Sequence, residues 1–366
     1  MPLVPRHIQE LEAYRPGKNI REIKESLGLN NIIKLASNEN PFGPSPLALE
    51  AVKEKINENF RYPDASALLL RQKLANRFKL EIKNVTVGAG SEGIMSAIMR
   101  TFLRQGDEII GAENSFIGFR VLAQASGHRV NWIPLKNFHH DLDSMLLAIN
   151  DYTKLIYLAN PDNPTGTYFK IDEFDRFMTK VPDRVLVILD EAYFEYAKHI
   201  NNYPDSMHYR YDNVITLRTF SKAHGLAGFR VGYGFAHHKL IENLLKVKLP
   251  FEPSWPAQIA AMAAIDDLGH IKKTIDSYKI GMNYIEQELL NIGIKYIPSV
   301  ANFITLIFKD MNSARSITES MLRSGIILRN LRGWGFPHCI RVSIGSKEEI
   351  DYFISCLKKT MIKNII

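Results

Sequence analysis

The sequence predicts an α/β protein in which a large, mostly parallel β-sheet is covered by helices and is followed by a smaller α/β unit. The first observation is that short β-branched runs alternate with amphipathic stretches from about residue 85 to residue 236. The second is that several of these runs are apolar throughout, which is typical of strands buried in a parallel sheet. The third is a change near residue 255, where helical stretches replace the alternation.

Each strand of the large sheet is predicted from one such run. In chain order the runs are "VTV", "EIIGAE", "RVNWIPL", "KLIYLAN", "RVLVILDE", "NVITLRTF" and "RVGYGFA". The later segments "PAQIAAMAAIDDL" and "YIEQELLNIG" predict helices. Three further strand-like runs, "NFITLIFK", "GIILRN" and "CIRVSIG", surround a helix predicted in "ARSITESMLRSG".

The length of the chain favours more than one domain. With 366 residues and 46% hydrophobic composition, the chain is too long for one ordinary core and can bury a large one. We expect an N-terminal arm over residues 1–35, a large domain over residues 36–252 and a small C-terminal domain over residues 253–366. The arm is predicted because the first 35 residues contain few apolar pairs.

Composition and charge narrow the class of protein. Two widely spaced cysteines, Cys339 and Cys356, argue against a disulfide framework or a zinc site, and we predict no metal. The uncharged apolar stretches are far shorter than the roughly 20 residues of a membrane helix, and the first residues lack an apolar signal core. We therefore expect a cytoplasmic protein that binds no membrane. The net charge of +7 is spread along the chain, which suits anionic small molecules rather than nucleic acid.

One lysine, Lys222, stands between a serine and a run of glycines in "TFSKAHGLAGFRVGYGF". Burial and nearby positive charge lower the basicity of a lysine, so that a fraction becomes the free amine that attacks carbonyl groups. Ser221 and Arg230 accompany it and are suited to hold a phosphate. A lysine with a purely structural role would not need these neighbours.

Two glycine- and proline-containing turns follow predicted strands. In "VTVGAGSEGIMSAIMR", the backbone N–H groups of Gly90, Ser91 and Glu92 begin a helix and are expected to point at an anion. Glycine turns before helices are common, so this motif alone is a weak indication. In "YLANPDNPTGTY", Asn163 is held in a stiff turn, which either aims its side chain at a ligand or forms an ordinary Asx turn.

A carboxylate ends the apolar run of "VLVILDEAYFEY". Asp190 is costly to bury unpaired, so it either faces a cation such as a pyridinium nitrogen or caps the next helix. Tyr193, three residues later, can reach the same ligand. All these segments lie at the carboxyl ends of predicted strands, where open α/β sheets bind ligands.

Taken together, these side chains provide every contact that pyridoxal phosphate requires. They supply a phosphate cradle, a partner for the phenolic oxygen, an anion for the ring nitrogen and an amine for the aldehyde. The order and spacing of Asn163, Asp190 and Lys222 resemble the fold-type I aminotransferases. Within that superfamily the chain resembles the histidinol-phosphate aminotransferases, a group of class-II pyridoxal-phosphate enzymes. The matching segments are "LASNENPFGPS", "RYPD", "GAGSEGI", "NPDNPTG", "DEAYFEY", "TFSKAHGLAGFRVGY" and "GIILRNLRGWGFPHCIRVSIG".

The resemblance implies a role for each cofactor residue. Lys222 carries pyridoxal phosphate, Asp190 holds its ring nitrogen, and Tyr193 and Asn163 contact its ring hydroxyl. The phosphate is held by Ser221, Arg230 and the backbone of Gly90, Ser91 and Glu92. Phe116 is expected to stack on the ring, and the alternative is that it is an ordinary core residue. Tyr62 corresponds to a tyrosine lent to the phosphate site of a neighbouring subunit, which implies a homodimer.

The resemblance also implies the substrates. The expected reaction exchanges an amino group between histidinol phosphate and 2-oxoglutarate, giving imidazole-acetol phosphate and glutamate. Arg341 is expected to bind the substrate carboxylate, with Arg329 and Tyr14 near the phosphate end and Asn163 beside the substrate. The segment "LPFEPSWPAQ" departs from the family pattern at Glu252, Pro253 and Trp255, and it leaves an aromatic amino-acid aminotransferase as the alternative. A phospho-amino-acid decarboxylase of similar fold is the remaining one.

Overall fold

A computed structural model of the chain describes residues 3–11, 20–29, 31–206 and 211–363. Its β-strands fall into three sheets within those residues. The strands are β1 Ile33–Lys34, β2 Val85–Gly88, β3 Glu108–Ala112, β4 Arg129–Ile133, β5 Thr153–Ala159, β6 Leu186–Asp190, β7 Val214–Thr219, β8 Gly232–Phe235, β9 Lys295–Ile297, β10 Phe303–Ile307, β11 Ile326–Ile327, β12 Arg329–Asn330 and β13 Cys339–Ser343.

The α-helices of the described residues alternate with the strands of the large sheet and then dominate the C-terminal third. They are α1 Arg6–Gln9, α2 Ile20–Leu27, α3 Pro46–Lys55, α4 Leu68–Phe78, α5 Gly90–Phe102, α6 Ile117–Ala125, α7 Leu142–Leu147, α8 Ile171–Met178, α9 Phe194–Ala197, α10 His238–Val247, α11 Trp255–Asp266, α12 Leu268–Asn291, α13 Met311–Arg323 and α14 Lys347–Lys363.

The large sheet has the strand order β2-β8-β7-β6-β5-β3-β4. The neighbours from β7 to β4 are parallel, and β8 runs antiparallel to both β7 and β2. The predicted α/β class with a mostly parallel sheet is therefore confirmed. All seven predicted runs become strands of this sheet.

Both faces of the large sheet are covered, as the continuous apolar runs indicate. On β5, Leu155 and Tyr157 pack into a cluster with side chains of α5, α6 and α10. Ile156 and Leu158, which alternate with them, pack into a second cluster with the phenylalanines of α8. This two-sided burial fixes the register of β5, β6 and β7, whose carboxyl ends then lie side by side.

A second, antiparallel sheet has the order β12-β13-β10-β9 and packs against α12, α13 and α14. The predicted strand "GIILRN" is two short strands here. β12 belongs to this sheet, whereas β11 pairs in parallel with β1 near the N-terminus. Leu35, the residue after β1, is buried in the same core cluster as α12 and α14.

Helix α11 packs beside the large sheet. Ala257, Ala260 and Ala264 share a core cluster with Leu70 of α4 and Val87 of β2. The predicted domain limits, 36–252 and 253–366, stay a prediction. Because α11 packs with the large sheet, we propose that the small domain begins near residue 267, between α11 and α12. No helix in the described ranges combines the length and apolar character needed to cross a bilayer.

Candidate active site

The carboxyl ends of β5, β6 and β7 open into a cavity of about 210 Å³. Nine predicted residues line it, namely Ser91, Glu92, Phe116, Asn163, Asp190, Tyr193, Ser221, Lys222 and Arg230. The other lining residues are Tyr157, Ala159, Pro161, Ala192, Thr219 and Ala227. Of the remaining predicted residues that the structure describes, Gly90, Tyr62, Arg329 and Arg341 are not in this lining, and Tyr14 lies outside the described residues.

Lys222 follows β7, and its side chain points toward the segment between β1 and α3. Its Nζ donates a hydrogen bond to the carbonyl oxygen of Ser37 at 3.2 Å and lies 5.7 Å from the ring centroid of Tyr193. Burial, with a further contribution from the positive charges of Arg341 and Arg230, lowers the pKa of Lys222 to about 8. A fraction of this amine is therefore uncharged at neutral pH and available as a nucleophile or base.

Asp190 is the last residue of β6 and is almost fully buried. The hydroxyl of Tyr157 donates to its Oδ2 at 2.8 Å, and the backbone N–H of Ala192 donates to Oδ1 at 3.2 Å. Burial raises the pKa of Asp190 to about 7, against the lowering effect of these two hydrogen bonds. A carboxylate in this position favours a cationic partner in the cavity.

The anion cradle is formed where α5 begins beside Arg230. Gly90 has a φ of +73°, and a Cβ there would lie 2.8 Å from Nη2 of Arg230. A Cβ on Gly232 of β8 would lie 2.5 Å from the backbone nitrogen of Ser91, so only glycine permits this approach. Arg230 forms an ion pair with Glu92 at 3.0 Å and lies 3.5 Å from Oγ of Ser221. Backbone N–H groups, a hydroxyl and a guanidinium thus converge, as phosphate binding requires.

Arg341 lies behind the cavity on β13. Its Nη1 donates to Oδ1 of Asn163, and its Nη2 donates to the carbonyl oxygen of Ala36 at 2.8 Å. Arg329 is its partner across the strands β12 and β13. The indole of Trp334 lies near both guanidinium groups, 4.8 Å from Arg329 and 5.8 Å from Arg341.

Three neighbours of the site escaped the sequence-based prediction: Tyr157, Asn38 and Trp334. Tyr157 could have been found, because a phenol at the end of the apolar run "KLIYLAN" needs a polar partner when buried. Asn38 and Trp334 meet the site only through tertiary packing, so no local signal marked them. The departing residues Glu252, Pro253 and Trp255 do not line the cavity of this chain.

Tyr62 is exposed and stacks on the ring of Phe251, with centroids 4.4 Å apart. Tyr62 therefore does not line the cavity of its own chain. Phe116 lies at the N-terminal end of α6, where its ring lines the cavity and also packs against the core cluster of α5.

A sequence profile of the family described as aminotransferase class I and II matches residues 30–357. The chain belongs to this family. This aminotransferase is 38% identical to histidinol-phosphate aminotransferase 1 of Nitrosococcus oceani, over 97% of this chain and 95% of the relative. It is 40% identical to histidinol-phosphate aminotransferase 2 of Haemophilus influenzae strain 86-028NP, over 97% of each chain.

Solved structures agree with this assignment. The histidinol-phosphate aminotransferase of Sinorhizobium meliloti, solved in complex with pyridoxal-5'-phosphate, superposes on this aminotransferase with a TM-score of 0.91. The two sequences are 27% identical, and the match covers 100% of this chain and 99% of the other. The family resemblance and the fold-type I architecture expected from the sequence are both confirmed.

The cofactor of this aminotransferase is pyridoxal phosphate, as the family implies. The residues around the cavity fit it. A buried carboxylate at the end of β6 faces an amine of lowered pKa after β7, and a glycine-bounded cradle with Arg230 stands at the start of α5. These are the three groups that a pyridine nitrogen, an aldehyde and a phosphate need.

Proposed function

We propose that this aminotransferase exchanges an amino group between histidinol phosphate and 2-oxoglutarate, as a step of histidine biosynthesis. The observation that carries the proposal is that Lys222 and Asp190 face one cavity, with Arg341 bonded to the cavity residue Asn163. An amine, a buried carboxylate and a nearby guanidinium suit amino transfer between anionic substrates. The choice of histidinol phosphate is supported by the names of the relatives, which match nearly end to end.

The cofactor residues are assigned roles within this proposal. When bound, pyridoxal phosphate supplies an aldehyde and an electron-withdrawing ring that make the Cα–H bond of the amino substrate acidic. Lys222 holds the aldehyde and, when released, moves a proton at Cα as base and acid. Asp190 keeps the ring nitrogen protonated, and Tyr157 and Ala192 hold its carboxylate in place. Tyr193 and Asn163 contact the ring hydroxyl, and Phe116 stacks on the ring.

The phosphate of the cofactor belongs to the start of α5 in this proposal. The backbone N–H groups of Gly90, Ser91 and Glu92 point out of the helix N-terminus, whose dipole favours an anion. Ser221 and Arg230 complete the cradle. Because Arg230 pairs with Glu92 at 3.0 Å, Glu92 also holds the guanidinium against the cradle.

Substrate anions are assigned to the arginine pair on β12 and β13. Arg341 binds the carboxylate of glutamate, and Arg329, with Tyr14, binds the phosphate of histidinol phosphate. A guanidinium group binds both kinds of anion through paired N–H donors, so one site can serve both half-reactions. The ring of Trp334 lies near both guanidinium groups and offers each a cation–π contact.

We further propose that the active form is a homodimer in which Tyr62 reaches the phosphate site of the partner. Exposed apolar side chains support this proposal. Phe60, Tyr62 and Phe251 are 79%, 82% and 41% exposed, and such a patch is typical of an interface. The cytoplasmic location expected from the sequence stays a prediction.

A paired half-reaction tests the substrate. The purified holoenzyme is mixed with histidinol phosphate, glutamate or phenylalanine, and the absorbance change of the cofactor is followed. We expect rapid conversion by histidinol phosphate and glutamate and slow conversion by phenylalanine. Faster conversion by phenylalanine than by histidinol phosphate would contradict the proposal and favour an aromatic aminotransferase.

The variant Arg329→Ala tests the assignment of the substrate phosphate. Its Michaelis constant for histidinol phosphate should rise about tenfold to a hundredfold, because a charge-assisted hydrogen bond is lost, and its Michaelis constant for glutamate should change little.

A further inference from the structure

Asn38 lies in the segment between β1 and α3 and contacts the cavity residue Tyr193. Its backbone N–H donates to Oγ of Ser343 at 2.8 Å, and its carbonyl oxygen accepts from Nδ2 of Asn302 at 3.0 Å. Its side chain contacts Tyr193, whose hydroxyl oxygen lies 2.9 Å from Nδ2. The residue is 1% exposed and has a φ of +57°, a conformation that asparagine tolerates better than most residues.

In the structure, the Asn38 amide turns its oxygen toward Ser343 and its nitrogen toward Tyr193. The Ser343 hydroxyl accepts from the backbone N–H of Asn38, and its own proton is donated to Asn38 Oδ1 at 2.9 Å. With this orientation, the Ser343 hydroxyl and the Asn38 side chain exchange their hydrogen bonds without a clash of two donors or two acceptors. Since an amide nitrogen only donates, the hydroxyl oxygen of Tyr193 must accept the bond from Asn38.

A phenol that accepts from Asn38 has to direct its own proton elsewhere. Within the described residues, no protein acceptor lies within hydrogen-bond distance of that proton, and Tyr193 lines the cavity. Burial raises the pKa of Tyr193 to about 12, against the lowering effects of Arg341 and of the Asn38 hydrogen bond, so the proton is retained at neutral pH. The charged groups that face the phenol are Arg341, Asp190, Asp162 and, across the cavity, Lys222.

We propose that Asn38 is a positioning residue that makes Tyr193 a hydrogen-bond donor to the phenolic oxygen of the bound cofactor. This inference rests on the role proposed above for Tyr193. A hydrogen bond donated to that oxygen stabilises its anionic form, so it lowers the pKa at which the bound cofactor takes up a proton. Asn38 thereby tunes the charge of the cofactor without touching it.

The test reverses the direction of this one hydrogen bond. In Asn38→Asp, a carboxylate takes the place of the amide and only accepts, so Tyr193 turns its proton toward residue 38 and away from the cavity. We expect the pKa of the bound cofactor, measured by absorbance titration of the holoenzyme, to rise by about one unit, a tenfold change in proton affinity. Tyr193→Phe should raise it similarly, and the double variant should show no further rise.

The matched control is Asn40→Asp, the same change two residues later. Nδ2 of Asn40 donates to the carbonyl oxygen of Ala223 and to Oγ1 of Thr274, so the pKa of the cofactor should stay within a few tenths of a unit. Thermal unfolding of each variant checks that the fold is retained. If Asn38→Asp does not fold, Ser343→Ala replaces it, because it frees the Asn38 amide to turn and should raise the pKa in the same direction.

The outcomes separate this inference from the proposed role of Tyr193. An unchanged pKa in Asn38→Asp, or in Ser343→Ala when it replaces that variant, together with a raised one in Tyr193→Phe, overturns the inference and leaves the role of Tyr193 intact. A rise in Asn38→Asp that persists in the Tyr193→Phe background also overturns it, because the added charge would then be the cause. No rise in either single variant removes the role of Tyr193 as well.

Discussion

At the scale of single residues, Lys222 sits in surroundings that oppose its own charge. It is partly withdrawn from water and faces Arg341 and Arg230, while Ser37 offers only a carbonyl oxygen. This arrangement does not stabilise the protein. It is explained by chemistry, because an amine whose pKa is about 8 supplies free base at neutral pH and an ordinary lysine does not.

We predict that Lys222→Met stabilises the apoenzyme at pH 7. The pKa of Lys222 falls from 10.5 in the unfolded chain to about 8 in the folded one. Below pH 8 the folded protein therefore bears the full cost of holding the charged amine in the cavity. Between these values the unfolded chain binds the extra proton, so wild-type stability rises with pH and the penalty vanishes above 10.5. Urea unfolding should show a gain of about 1 to 2 kcal/mol at pH 7, reduced because the side chain is only half-buried, and a smaller gain at pH 10. A gain that grows with pH would contradict this account.

At the scale of secondary structure, the sequence was most informative where burial is two-sided. The runs of β5, β6 and β7 are apolar throughout. Their strands, and the candidate site residues at their carboxyl ends, were therefore predictable. The short pairing of β1 with β11 was not, since two-residue strands carry no periodicity and the pairing joins residues almost 300 positions apart. The same holds for Asn38, which meets Tyr193 only after the two sheets have packed together.

The turn into α5 gives a prediction at this scale. Gly90→Ala places a methyl group 2.8 Å from the Arg230 guanidinium and strains a backbone with φ of +73°. We expect a loss of about 1 kcal/mol in the free energy of unfolding and roughly tenfold weaker binding of pyridoxal phosphate, because Arg230 has to leave the cradle.

Gly228→Ala is the matched control for this change. Gly228 lies near the same cradle, but a Cβ there meets no atom within 4 Å and the residue has no positive φ. Its stability and cofactor affinity, measured by unfolding and by absorbance titration of the apoenzyme, should stay close to wild type. Equal weakening in both variants would show that the cradle is not the cause.

At the scale of the whole molecule, one chain leaves Tyr62 stacked on Phe251 at an exposed apolar surface. The proposed homodimer gives this surface a partner and gives Tyr62 a site to serve. The cavity of a single chain already holds the amine, the carboxylate and the cradle. The partner is thus expected to complete phosphate binding rather than to supply the chemistry.

Subunit mixing tests this arrangement. Tyr62→Ala and Lys222→Ala proteins, each of low activity, are mixed under conditions in which exchange of subunits is shown by a mass tag. One site of each mixed dimer then contains both intact residues, so we expect activity to recover toward a quarter of wild type, since half of the dimers are mixed and one of their two sites is complete. Exchange without recovery would show that Tyr62 does not serve the partner.

The central claim is that Lys222 is the amine that holds the cofactor. The most direct measurement is borohydride reduction of the holoenzyme followed by digestion and mass spectrometry of the labelled peptide. The account predicts one pyridoxyl adduct, on Lys222, and no fixed label in Lys222→Ala although that variant still binds the cofactor through Asp190 and the cradle. An adduct on any other lysine of the wild-type protein would contradict it.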